Sequence, residues 1–438
     1  MTPVSDRVLV STKKGLFTAD RGPAGWSVSG VSFLGENVTL AYVDPRDGGW
    51  FAALNLGHFG VKLKFSPDAG KTWEDRAVPA YPDGEVVGTA DGKPPQPATL
   101  KLIWALESGA ATQPGRLWAG TLPGGLFRSD DGSRSWELVR GLWDRPERMH
   151  WMGGGADHPG IHSILRDPRD PNVLRVAVSC GGAWISTDGG TAREVGTGMH
   201  ADYLPPELRL DPVAQDPHIM RHCPAAPDRL WIQHHNGVFK SADGARTWAH
   251  VPNAAPSGFG FAVAVHPTDP DTAWFVPATK DERRVPVDGK LVVSRTRDGG
   301  ASFEGLREGL PTEPAYDIVY RHALAIDGTG ERLAFGSTTG GVWLTEDGGD
   351  RSVDGPLRER RGRRSRTRRP AGQAAAVEQP QQPHRERCQV QPRERPQERP
   401  HRPRPLHHVK LRRPRPHQCV GETLALAPLL LHVQVQHV

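Results

Sequence analysis

The sequence predicts an all-β protein, a seven-bladed β-propeller, and three observations carry that prediction. The first is an eight-residue pattern, S-x-D-x-G-x-T-W, whose aspartates Asp20, Asp68, Asp131, Asp188, Asp243, Asp298 and Asp347 are 48, 63, 57, 55, 55 and 49 residues apart. A period of about 50 residues fits one four-stranded blade per repeat. The second is the text between copies: short β-patterned runs bounded by turns such as Asp44-Pro45-Arg46-Asp47 and Asp167-Pro168-Arg169-Asp170-Pro171. The third is that no long stretch has a helical period.

The full pattern stands at Ser66-Pro67-Asp68-Ala69-Gly70-Lys71-Thr72-Trp73, at residues 129–136 and at residues 241–248. Residues 296–303 carry it with Phe303 in place of Trp, and residues 186–190 and 345–349 keep only the first half. A degenerate copy, Thr18-Ala19-Asp20-Arg21-Gly22, opens the chain, with Trp26 delayed. The chemistry is that of a hairpin turn. An Asp carboxylate accepts backbone N–H groups of its own turn, and Gly takes positive φ. The hydroxyls close the loop, and Trp anchors it with a large apolar face. Each box follows a short strand, for example Gly125-Leu126-Phe127 or Gly237-Val238-Phe239.

These residues resemble the BNR/Asp-box family of β-propellers, which includes sialidases, xyloglucan-active glycosidases and sortilin-type receptors. The resemblance covers roughly residues 5–350. It implies that the box is structural, at the blade periphery, and that a sialidase-superfamily, glycosyl-hydrolase-like protein acts on or binds carbohydrate elsewhere on the ring. The family's non-catalytic members, receptors and photosystem II assembly factors, imply the alternative of a binding or assembly propeller, with a His-bound metal as one variant. The Phe/Tyr-Arg-Ile-Pro motif of true sialidases is absent near the N-terminus.

Taken in order, the repeats define seven units. The sixth reads as an inner strand over 259–265, a second over 272–277, a third over 291–294, the box, and a fourth over 302–306. The first unit supplies second, third and fourth strands (7–11, 15–18 and 26–28) with no inner strand before them. Ring closure would take that strand from just after the seventh box. The text there turns Arg-, Pro-, His- and Gln-rich instead, and residues 351–438 contain no Phe, Trp or Tyr. The reading is therefore a propeller over 1–350, with closure incomplete at the C-terminus. Residues 351–438 are read as a basic tail, disordered or out of frame, that does not pack on the first blade.

Charge follows the same division. The 438-residue chain has a net charge of +5, but residues 351–438 hold 20 basic and 7 acidic residues while residues 1–350 hold 35 and 43. The mildly acidic propeller gives no footprint for nucleic acid. No leader or transmembrane span is expected from the text, and four Cys make no disulfide framework, so the expectation is a cytoplasmic monomer outside the membrane.

The candidate site comes from blade geometry. Boxes join third to fourth strands at one face, and the links between blades build the other. Nine of the twelve His in residues 1–350 fall on those links or on second-to-third-strand turns. Loops at one mouth of a propeller form a cleft. The ligand-binding candidates are His158, His162, Tyr203, His218, His234, His235, Arg283 and His322, facing a carbohydrate or small molecule. A glycosidase needs one protonated and one ionised acid. Asp157, Asp281, Glu282 and Asp317 are the candidates, and Tyr320 with Arg321 imitates part of a sialidase constellation. His234 and His235 could ligate a metal with His218 or His162, but adjacent strand residues face opposite ways, so one of the pair at most serves one site. No HExxH or CxxC spacing supports a metal, so no metal ligand or cofactor is assigned. Cys180 and Cys223 read as buried thiols.

Overall fold

The computed structural model describes residues 5–88, 94–153, 158–191, 193–312, 314–350 and the strand His432–Gln436. Seven antiparallel sheets form the blades of a propeller. Blade five shows the common plan: inner strand Pro217–Cys223, then Ala226–His234, Gly237–Ser241 and outer strand Ala249–Val251. Blade six runs Gly260–Val265, Ala273–Lys280, Val293–Thr296 and Glu304–Leu306, with Arg283–Pro286 folding back on the second strand as an added ribbon. No helix among the described residues is long and apolar enough to cross a membrane.

Period-2 alternation builds the core between blades. Neighbouring residues on one strand serve opposite interfaces. Met220, Ile232 and Phe239 of blade five pack with Leu165, Ala177 and Ile185 of blade four. Ile219, Trp231 and Val238 of the same blade pack with Val263, Val265 and Phe275 of blade six. A blade cannot bury either face alone, so the ring is the stable unit.

Closure differs from the sequence-based expectation. The first blade has the order 25–32, 15–22, 7–12, 432–436, so His432–Gln436 is its inner strand. It pairs antiparallel with Arg7–Thr12, in a register that sets Val8 opposite Val435 and Val10 opposite Val433. The end of the tail thus packs on the first blade, and the strand comes from more than 80 residues beyond the seventh box rather than directly after it. Its alternation of His, Val, Gln, Val and Gln is the half-buried strand pattern. The Arg/Pro-rich composition before it hid that signal. Arg21 and Trp26 also reach Glu346 at 2.5 and 2.9 Å, tying the first blade to the seventh. The seventh blade has three strands among the described residues, Leu324–Ile326, Leu333–Gly336 and Val342–Thr345.

The boxes form as their chemistry requires. In the second, Ser66 Oγ donates to Asp68 Oδ1 at 2.8 Å and accepts the Gly70 N–H, while Thr72 donates both N–H and O–H to the Asp68 carboxylate at 2.8 Å. The same bonds recur around Asp131, Asp243 and Asp298. The two residues after each of these aspartates take positive φ, and Ala69, Ser133 and Ala245 occupy one of the two positions where Gly is the default. The first copy is not a box: Asp20 lies within a strand and pairs with Arg7 at 2.6 Å. Box tryptophans staple one blade to the preceding one. Trp73 Nε1 donates to Ser32 Oγ, and Trp136 Nε1 donates to the Ala77 carbonyl.

A pH dependence follows. Backbone and hydroxyl hydrogen bonds lower Asp68 and Asp298 to about 2, and lower Asp131 and, against its burial, Asp243. A carboxylate depressed on folding adds stability above its unfolded pKa, near 4, which is lost as pH falls through the folded value. The melting temperature should therefore drop between about pH 4 and about pH 2. The Asp68→Asn/Asp298→Asn double variant should show a shallower drop over that window. Equal slopes in wild type and variant would remove the boxes from the acid response.

Candidate functional site

The opposite end of the blades is built by the starts of inner strands and the second-to-third-strand turns. Asp216 immediately precedes inner strand Pro217–Cys223, and His218 follows two residues later, so the two side chains share a face. His235 sits in the turn after Ala226–His234, and its N–H donates to the Asp216 carbonyl at 3.0 Å. This register brings the imidazole over Asp216: His235 Nδ1 and His218 Nε2 each lie 3.5 Å from Asp216 Oδ2. From blade six, the tip of the added ribbon places Asp281 Oδ2 at 3.8 Å from His235 Nε2.

Aromatic rings wall this cluster. His218 stacks on Phe261 at 4.5 Å, and its Nδ1–H donates to the Gly260 carbonyl at 2.6 Å. Tyr203, from the link between blades four and five, lies 4.5 Å from the His235 ring, and Phe259 lies 5.7 Å from it. Tyr320 contacts Phe261 at 4.7 Å. Two guanidinium groups complete the wall: Arg284 lies over Phe261 and pairs with Asp281, and buried Arg321 lies between the rings of Trp104 and Phe261. Arg321 Nε is buried with no hydrogen-bond partner among the described residues.

Electrostatics assign protonation. Burial alone would raise Asp216, but the His218 and His235 imidazoles facing it and the nearby Arg321 charge hold it well below the usual carboxylate range. Burial lowers His218, against the pull of Asp216. Burial lowers His162 well below its ordinary value, and Arg321 adds to the effect. Asp216 is thus ionised and His162 neutral near pH 7.

The other sequence candidates fall into distinct environments. His234 faces away from His235: it is fully buried, its ring lies between the backbone N–H groups of Asp216 and Asn236, and burial brings it down to about 3. His162 Nε2 lies 2.8 Å from the Pro217 carbonyl, and His322 Nε2 lies 2.6 Å from the His162 carbonyl, so both support the strand starts. Asp317 is buried and accepts hydrogen bonds from Ser337 and Thr339, which ties up its carboxylate. Glu282 is exposed and pairs with Lys280 at 3.3 Å, and Arg283 is exposed beside it. His158 is half-buried, and its Nδ1 has no hydrogen-bond partner among the described residues. Asp157 lies outside the described residues.

Sequence reasoning gave no role to Asp216, Phe259, Phe261, Arg284 or Trp104. The Asp216-Pro217-His218 spacing at a strand start was the available signal. Asp216, His218 and His235 are also the group among the described residues that could hold a metal ion, with ligand atoms within 4.8 Å of one another.

No family model matches the chain. It is 25% identical over 241 residues to a probable oligoxyloglucan-reducing end-specific xyloglucanase of Neosartorya fischeri, covering 49% of this chain and 28% of that protein. It is 24% identical over 257 residues to the oligoxyloglucan-reducing end-specific xyloglucanase of Emericella nidulans, covering 52% of this chain and 29% of the relative. The chain therefore spans less than a third of the length of these curated relatives. Among solved structures, the GH74 enzyme of Niastella koreensis superposes with a TM-score of 0.54 at 14% identity, over 80% of this chain and 52% of that one. This likeness shows the propeller fold.

Proposed function

We propose that this propeller binds carbohydrate at the mouth formed by Tyr203, His235, Phe259 and Asp281. The observation that carries the reading is the half-buried Tyr203 ring set against His235, with the Asp281 carboxylate within 4 Å of the same imidazole. The C–H face of a pyranose carries slightly positive hydrogens that suit the negative face of an aromatic ring. Carboxylates and imidazoles at its rim accept and donate to hydroxyls. The xyloglucanase relatives support an oligosaccharide as the ligand class, with xyloglucan fragments first in order.

The geometry favours binding over hydrolysis. A glycosidase pair needs a protonated acid beside an ionised carboxylate. Asp216 is held ionised, and Asp281 is committed to Arg284. A glycan panel and a set of chromogenic glycosides test this on the purified full chain. The expected outcome is retention of a β-linked oligosaccharide without release of chromophore. Turnover abolished by Asp281→Asn would replace the binding reading with a hydrolytic one. Absence of any glycan retention would remove carbohydrate from the account.

A further inference from the structure

We propose that Asp216, His218 and His235 form a binding site for a divalent transition metal of the Zn2+ or Co2+ type. The inference stands apart from the carbohydrate reading, because it needs no sugar to test. Its first support is the spacing. Two ligands about 2.1 Å from a tetrahedral ion lie about 3.4 Å apart. Asp216 Oδ2 is 3.5 Å from both His218 Nε2 and His235 Nδ1, and all three atoms lie within 4.8 Å of one another. A charge-assisted hydrogen bond between such groups would close to about 2.8 Å.

The second support is the outer ring of partners. A metal-ligating histidine donates its other N–H to a carbonyl or carboxylate, which fixes the tautomer and aims the bare nitrogen at the ion. His218 has this arrangement: Nδ1–H donates to the Gly260 carbonyl at 2.6 Å, so the neutral ring presents the Nε2 lone pair to Asp216. His235 turns Nδ1 toward Asp216, while its Nε2 faces Asp281 Oδ2 at 3.8 Å, beyond hydrogen-bond reach. Asp216 itself is fixed through Oδ1, which accepts the Cys180 N–H at 3.1 Å. Two imidazole nitrogens and one carboxylate oxygen are the donor set of borderline dications. Three protein ligands leave a fourth position for water or a ligand oxygen.

The test is a titration of the chelator-treated full chain with Co2+ and then Zn2+, followed by visible absorption and calorimetry. The seven histidines of residues 351–438 are common to every variant, so any metal they take up cancels in the comparison between wild type and His235→Ala. Wild type should take up one further equivalent with the absorption of a low-coordinate Co2+ ion. His235→Ala should weaken that equivalent by at least about 100-fold, the upper end of the cost of losing a mere outer-shell partner. Identical titrations would overturn the proposal. Should His235→Ala fail to fold, wild type decides alone: saturating Zn2+ must shield His235 from acylation by diethyl pyrocarbonate, and an unshielded His235 would overturn it.

Discussion

Deleting residues 432–438 is expected to destabilise the ring by on the order of 5 kcal/mol. The strand His432–Gln436 contributes five residue pairs to Arg7–Thr12. Each lost backbone hydrogen bond costs about 1 kcal/mol net, and the exposed strand edge adds to the loss. Total stability of a folded protein is about 5–15 kcal/mol, so the truncated chain should sit near its unfolding threshold and aggregate through the open edge. Chemical denaturation and hydrogen exchange of Arg7–Thr12 would read the effect. An unchanged denaturation midpoint, with Arg7–Thr12 still protected, would show that the strand does not close the ring.

Trp248→Ala should cost about 3–5 kcal/mol, because this is the box tryptophan that is almost fully buried. The backbone N–H of Trp248 donates to the Thr197 carbonyl at 2.8 Å, and its indole closes against Gly196, at the outer edge of blade four. Removing the ring leaves a cavity between two blades that the paired backbones cannot collapse into. Trp73 and Trp136 are half-buried and each keeps one indole hydrogen bond, so their Ala variants should cost less. Thermal melts of the three variants give the order. A Trp248→Ala variant that lost ligand binding at unchanged melting temperature would contradict the structural role of the box.

The blades were legible because all but the first carry the same local turn chemistry. The Ser–Asp–Gly–Thr spacing specifies its own turn, and alternation along strands such as Gly260–Val265 specifies two buried faces. The closing strand was not legible, because five alternating residues carry little weight beside the Arg/Pro-rich text before them. Asp20 misled for a related reason: its Asp and Gly match the box, but no Ser or Thr follows at the fifth position to bond the carboxylate, and Arg7 takes it instead. At the mouth, topology alone placed His218, His235 and Asp281 on one face. It could not tell Asp216, which touches two imidazoles, from Asp317, which is consumed by Ser337 and Thr339. That difference depends on side-chain direction across non-adjacent strands, which no spacing in the sequence encodes.

The central claim is that ligand binds at the Tyr203 mouth and not at the box face. Calorimetric titration of a retained oligosaccharide into wild type, Tyr203→Ala and Asp298→Asn tests it most directly. Loss of one stacking ring should weaken binding by about 10- to 100-fold, since each tenfold corresponds to about 1.4 kcal/mol. Asp298→Asn, on the opposite face, should leave the affinity unchanged. Undiminished affinity in Tyr203→Ala, with a loss in Asp298→Asn, would place the ligand on the wrong end of the blades and contradict the account.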